Sequence, residues 1–90
     1  MEVGEMVLKL VEMVMGKIEE ENLLVISIEC GTCHIMNAFI PDTINTENGI
    51  YIEGEYFILD ISNKNEYQIE YNEMEDEFII RQGNTIFYLS

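Results

Sequence analysis

The sequence predicts an α+β domain in which one N-terminal amphipathic helix packs on a curled antiparallel meander of five to six strands. Apolar residues recur at three- and four-residue spacing over residues 3–20, and from about residue 23 they alternate with polar ones. Short turn-forming segments separate the alternating stretches, which favours antiparallel neighbours over crossover connections. The 90 residues are predicted to form a single domain, 1–90.

The helix is predicted over residues 3–20, where Glu5, Glu12 and Glu19 follow the side opposite the apolar positions. The apolar positions are Val3, Met6, Val7, Leu10, Val11, Met13, Val14, Met15 and Ile18. They sweep an arc of roughly 200°, wider than the ~100° stripe that one sheet usually covers. Either the curled sheet wraps around the helix or a second copy contacts it, and the sequence leaves both open.

Six segments with period-two alternation are predicted to be strands: residues 23–29, 35–40, 50–61, 66–71, 77–82 and 85–89. Gly31-Thr32 and Gly83-Asn84 each place glycine first in a two-residue loop, which predicts type II′ turns. Gly54 indicates either a bulge in one long strand or the corner of a tight hairpin. Residues 41–48 are predicted to be an extended polar loop.

This order of elements, one helix followed by antiparallel strands, resembles that of small Sm-like or SH3-like barrels. Several RNA-binding Sm-like proteins share the order, but function does not follow from a fold. The chain has only four Lys and Arg residues with which to contact phosphates. Direct binding of nucleic acid is therefore not predicted.

The charge balance indicates the kind of partner. Eighteen Asp and Glu residues against four Lys and Arg give a net charge of −14. A surface this negative repels nucleic acid and anionic membranes and attracts basic protein surfaces, so a basic protein surface is the predicted partner. A cytoplasmic location is expected, because the first residues are acidic where a secretory signal is basic and no apolar run approaches the ~20 residues of a membrane span.

Residues 30–34, Cys-Gly-Thr-Cys-His, match the haem-attachment pattern C-x-x-C-H, but strand-like flanks argue against haem. In a hairpin with a two-residue loop, Cys30 faces Cys33 on the core side, and Glu29 faces His34 on the other. The cysteines are predicted to be buried apolar residues; the alternative is half a zinc knuckle completed by a second subunit. His34 is expected to pair with Glu29, which favours its protonated form. No cofactor is predicted.

The acidic residues concentrate in two places. Residues 66–77 carry six carboxylates, and alternate side chains on a strand lie ~6.6 Å apart, close to the phosphate step of a nucleic-acid strand. The second group lies at the end of the helix, where the macrodipole disfavours carboxylates. The candidate partner-binding residues are Glu66, Glu70, Glu73, Glu75, Asp76 and Glu77, with Glu19, Glu20 and Glu21 as a second edge.

These observations predict a non-enzymatic protein that presents carboxylates to the basic groove of a nucleic-acid-binding protein. In composition and size it resembles the small acidic nucleic-acid mimics that phages and mobile elements use against restriction and CRISPR nucleases, which implies inhibition by competition. The sequence offers no nucleophile triad and no phosphate-binding glycine loop. One alternative is a homo-oligomeric assembly or adaptor module, such as a homodimer through the helix face with Met6, Met13 and Met15. Another is a zinc-knuckle module through Cys30 and Cys33.

Overall fold

The computed structural model describes residues 2–90, which contain one α-helix and eight β-strands, all paired antiparallel. The elements are α1 (Val3–Glu20), β1 (Leu24–Cys30), β2 (Cys33–Phe39), β3 (Pro41–Asn45), β4 (Gly49–Gly54), β5 (Ile58–Ser62), β6 (Gln68–Asn72), β7 (Glu77–Gln82) and β8 (Thr85–Leu89). The α+β class and the helix bounds are confirmed. The strand number is eight rather than five to six, and the strands form two sheets.

The larger sheet has the order β2-β1-β8-β7-β6, and the smaller one has the order β3-β4-β5. The last strand therefore lies in the middle of the larger sheet, between β1 and β7. Val25 and Ser90 exchange two backbone hydrogen bonds there, with N···O distances of 2.8 and 3.0 Å. Both predicted type II′ loops have the required sign of φ at their first position, +61° at Gly31 and +58° at Gly83.

The core is one cluster of buried apolar side chains that joins the helix to both sheets. Its members are Leu10, Val14, Leu24, Ile26, Ile50, Ile52, Leu59, Ile61, Phe78, Ile80 and Leu89. The helix ends on Glu21 in the left-handed conformation, and the N–H of Asn22 donates to the carbonyl of Lys17 at 2.9 Å. Within residues 2–90, no helix is long and apolar enough to span a bilayer.

The sheets cover only part of the wide apolar arc of α1. Leu10 and Val14 are buried, and Met13 and Ile18 pack against the core. Of the arc positions, Val3 and Met15 are 51% and 44% exposed, and Leu8, which lies beside the arc, is 64% exposed. The helix contacts β3 and β6, so the two sheets flank it rather than enclose it.

The structure corrects one prediction, the loop at residues 41–48, and decides another that the sequence left open, the role of Gly54. Residues 41–48 contain β3, which pairs with β4 and buries Pro41 at its first position, where a strand tolerates proline. Gly54 ends β4, so residues 50–61 form a hairpin rather than one bulged strand. A Cβ at Gly54 would lie 2.4 Å from Cδ2 of Phe39, which explains why glycine stands at this corner.

Candidate protein-binding site

The six carboxylates predicted at residues 66–77 lie along the β6 edge of the larger sheet. We call them the acidic ridge: Glu66, Glu70, Glu73, Glu75, Asp76 and Glu77. Only Glu70 lies within β6 itself; Glu66 precedes the strand, and the others lie in the turn at residues 73–76 or at the start of β7. The carboxylates therefore cluster around the ends of β6 instead of forming an evenly spaced row.

The turn that carries most of the ridge is fixed by local hydrogen bonds. The side-chain oxygen of Asn72 accepts the N–H groups of Met74 at 3.1 Å and Glu75 at 3.4 Å. Asp76 closes the turn with a φ of +51°, a conformation that Asp tolerates better than most residues. This leaves Glu73 and Glu75 exposed at the tip, on a loop whose backbone is already ordered.

Two members of the ridge are engaged within the chain. Glu70 accepts a hydrogen bond from Nη1 of Arg81 on the neighbouring strand, and both side chains are about half exposed. Asp76 accepts a hydrogen bond from the hydroxyl of Tyr71 at 2.5 Å. Among the described residues, four carboxylates of the ridge take part in no ion pair or side-chain hydrogen bond, and we call them unengaged: Glu66, Glu73, Glu75 and Glu77. These four charges are available to an external cation.

The contact between Tyr71 and Asp76 changes the ionisation of the phenol. The hydrogen bond that Tyr71 donates to Asp76, partial desolvation, and the charges of Asp76 and Glu73 raise the pKa of Tyr71 above its ordinary value of 10.0. Because folding raises this pKa, the associated stability is present below pH 10 and is lost as the pH rises through the folded-state pKa.

We expect Asp76→Asn to lower the pKa of Tyr71, because the substitution removes the negative charge that opposes phenolate formation. Ultraviolet difference titration of the folded protein measures this shift, and Tyr71→Phe identifies which of the five tyrosine transitions belongs to Tyr71. Glu53→Gln is the control, because Glu53 accepts a hydrogen bond from Tyr51 instead. An unchanged titration of Tyr71 in Asp76→Asn would contradict the assigned contact.

The second predicted edge lies beyond the turn end of β6. Val3 lines a pocket together with Glu66, and Nζ of Lys9 lies 5.7 Å from the ring centroid of Tyr71, so α1 runs alongside β6 in the same direction. The exposed carboxylates at the helix end, residues 19–21, therefore lie beyond the C-terminal end of β6, where the turn at residues 73–76 begins.

Sequence reasoning missed two acidic residues near the helix end. Asp42 and Glu55 line a groove of about 650 Å³ with Glu21, Tyr56 and Phe57. No spacing in the sequence relates these positions, because the groove forms only where the end of α1 meets the start of β3 and the β4–β5 turn. The acidic surface at this end of the molecule is thus broader than the sequence indicates.

The Cys30–Cys33 hairpin has the predicted register but not the predicted burial. Cys30 pairs with Cys33, but both are exposed free thiols, because the hairpin tip extends beyond the core. Nε2 of His34 lies 2.5 Å from Oγ of Ser27, so the expected partnership with Glu29 is replaced by one with serine. Within residues 2–90, no group of three or more His, Cys, Asp and Glu could hold a metal ion. A zinc knuckle would need its remaining ligands from another molecule.

Comparisons with protein-family models, with curated proteins and with solved structures found no match to this chain. The likeness in element order to Sm-like and SH3-like barrels therefore stays a prediction, and the function has to be argued from the surface itself.

Proposed function

We propose that this chain is a non-enzymatic inhibitor that occupies the basic groove of a nucleic-acid-binding protein in place of the nucleic acid. The acidic ridge provides the main contact, and the helix-end carboxylates, residues 19–21, provide a second edge. The proposal places the protein in a cytoplasm, with no direct contact to nucleic acid or membrane.

The observation that carries the proposal is the set of unengaged carboxylates on one sheet edge. Glu73 and Glu75 are exposed at an ordered turn, and Glu66 is exposed at the opposite end of β6. Carboxylates carried on an ordered backbone lose less conformational freedom on binding than those on a mobile tail. The net charge of −14 adds a long-range field that steers a basic partner toward the molecule.

The mechanism that follows is competition. Arg and Lys side chains of the partner would bind carboxylates instead of phosphates, through charge-assisted hydrogen bonds. Because these contacts lie on an exposed edge, salt screens them over a Debye length of about 8 Å at physiological ionic strength. The affinity should therefore fall steeply with salt and with added nucleic acid.

The test is a pull-down with the immobilised protein from a nuclease-treated host lysate at low salt. We expect a basic nucleic-acid-binding protein to be retained and then to be released both by added DNA or RNA and by raised salt. Recovery of only the protein itself, or of a partner that resists salt and nucleic acid, would contradict the proposal.

A second candidate function, assembly or scaffolding through the helix, is favoured by one observation. Leu8 and Met15 project from the part of α1 that the sheets leave uncovered. If the protein assembles through the helix, its negative charge serves solubility. Polar substitution at Met15 should then reduce the concentration-dependent mass of the assembled protein. The two functions are distinguished by salt, because apolar association does not weaken when charges are screened.

A further inference from the structure

The free edge of the larger sheet lies at β2, which pairs with β1 on one side only. The bonds between Val25 and Ser90 show which backbone groups of β1 point toward β8. Bonding direction alternates along a strand, so the remaining β1 residues bond to β2 through the partners Ile35 and Asn37. It follows that the N–H and C=O groups of His34, Met36 and Ala38 point away from the sheet.

These outward groups are almost entirely unpaired in the described part of the chain. Only the N–H of Ala38 has a partner, the side-chain oxygen of Asn37 at 2.8 Å. The side chains along the strand are also exposed, with Ile35 at 56% and Met36 at 68%. Such an edge is a template for another strand, and proteins normally protect it with charge, proline, a bulge or a covering element.

The other sheet edges have such protection. Strand β3 begins with Pro41 and pairs with β4 through a register shift, and strand β6 carries Glu70. Strand β5 carries Asp60, and its last carbonyl, that of Ser62, accepts a hydrogen bond from the side chain of Gln82 at 2.7 Å. Strand β2 has none of these features: it contains no Lys, Arg, Asp, Glu or Pro, and it pairs with β1 without a bulge.

Charge decides which occupant suits this edge. Residues 30–41 form the longest stretch of the chain without Asp, Glu, Lys or Arg. Two copies that each carry −14 repel one another over most of their surfaces, and this stretch lowers that cost at the edge itself, although its Asn37–Ala38 end lines the groove that contains Glu21, Asp42 and Glu55. A strongly basic partner, by contrast, gains nothing from an uncharged edge.

We propose that β2 is a homodimerisation edge, at which β2 of a second copy adds in antiparallel orientation about a two-fold axis through Met36. Met36 then faces its own copy, and His34 faces Ala38 of the second copy, so that all outward backbone groups from residues 34–38 pair across the axis. The register is self-complementary, as a two-fold interface requires. The Asn37 side chain releases the N–H of Ala38 when the second strand arrives. This interface is separate from the acidic ridge on the opposite edge of the sheet, so the protein can dimerise and still present its carboxylates.

The test is sedimentation equilibrium of the full chain over a range of concentrations at 0.1 and 0.5 M NaCl. We expect the mass to rise from 10.5 kDa toward twice that value, and to rise at lower protein concentration in high salt, because salt screens the repulsion between copies. Met36→Lys places like charges opposite each other on the axis and should weaken association about tenfold or more.

The matched control is Met74→Lys, since Met74 is 95% exposed in the β6–β7 turn and the substitution changes the net charge equally. It should leave the dimer intact. Amide hydrogen exchange gives a second readout: the N–H groups of His34 and Met36 should become protected as concentration rises, whereas those of Ile35 and Asn37 are protected in both states. Circular dichroism confirms that each variant is folded.

A chain that stays monomeric at millimolar concentration and 0.5 M NaCl would overturn the proposal. A dimer that Met36→Lys leaves intact would also overturn it. So would a dimer that is lost only in Met15→Lys, because its interface would then lie on the helix. Failure of these tests leaves the proposed inhibitor function untouched, because that function depends on the acidic ridge. Salt should weaken binding of the basic partner, whereas it should strengthen association between two copies.

Discussion

Alanine in place of Gly49 is expected to lower the midpoint of thermal unfolding by more than about 12 °C, using about 4–8 °C per kcal/mol for a domain of this size. Gly49 is buried at the start of β4, and its φ of +120° is one that residues with a Cβ rarely adopt. A Cβ there would lie 2.0 Å from the carbonyl oxygen of Ile61, a backbone atom that cannot move without breaking the β4–β5 pairing. Strain and clash together should exceed about 3 kcal/mol, a large part of the 5–15 kcal/mol that stabilises a typical domain.

The control is Gly16→Ala, the same substitution in the helix, where a Cβ would meet nothing within 4 Å. It should raise stability by about 0.5–1 kcal/mol, because alanine is a better helix former than glycine. Thermal unfolding followed by circular dichroism measures both variants. A single kcal/mol shifts the unfolding midpoint of such a domain by about 4–8 °C. If the midpoint of Gly49→Ala lies within about two degrees of that of the parent chain, β4 and β5 do not approach as closely at Gly49 as described.

Reversal of Glu66, Glu73 and Glu75 to Lys is expected to abolish binding of the retained basic partner, with a loss of at least about 100-fold if each lost contact contributes about 1 kcal/mol. The repulsion that the new lysines introduce adds to this loss. All three side chains are exposed and unengaged, so the fold should be unaffected. Glu70 and Asp76 are left in place because Arg81 and Tyr71 bind them. Surface plasmon resonance against the purified partner measures the affinity.

The matched control reverses Glu12, Glu47 and Asp60 to Lys, which are exposed and lie outside both predicted acidic groups. This variant undergoes the same change in net charge. It should bind more slowly, because steering weakens, but retain most of its affinity. Equal losses in the two variants would show that net charge alone, and not the ridge, attracts the partner.

The local parts of this fold are predictable from the sequence, and the parts set by distant contacts are not. The helix bounds follow from apolar spacing, and the Gly31 and Gly83 turns follow from the preference of type II′ loops for glycine. Strand β3 escaped prediction because Asp42 and Thr43 look like loop residues, and only pairing with β4 and contact with α1 make it a strand. The choice between bulge and corner at Gly54 is decided by the ring of Phe39, which no local pattern reveals.

The candidate site divides in the same way. The acidic ridge could be located because its six residues lie within twelve positions of the sequence. The pairing of Glu70 with Arg81 could not, because it depends on the β6–β7 register, in which Glu70 is opposite Ile79. The exposure of Cys30 and Cys33 also went unforeseen, since alternation indicates which face a side chain occupies but not where the core beneath that face ends.

The position of β8 between β1 and β7 has a consequence for synthesis on the ribosome. Ile28 and Phe87 pair across about 60 residues of chain, so the β1–β2 hairpin is made long before the strand that joins it to the rest of its sheet. At ~5–20 residues per second this interval lasts several seconds. During that time the edge of β1 that β8 later pairs with has no partner strand, and unpaired strand edges are prone to aggregate. Mutual repulsion between acidic nascent chains opposes this aggregation, which gives the negative charge a role before folding is complete.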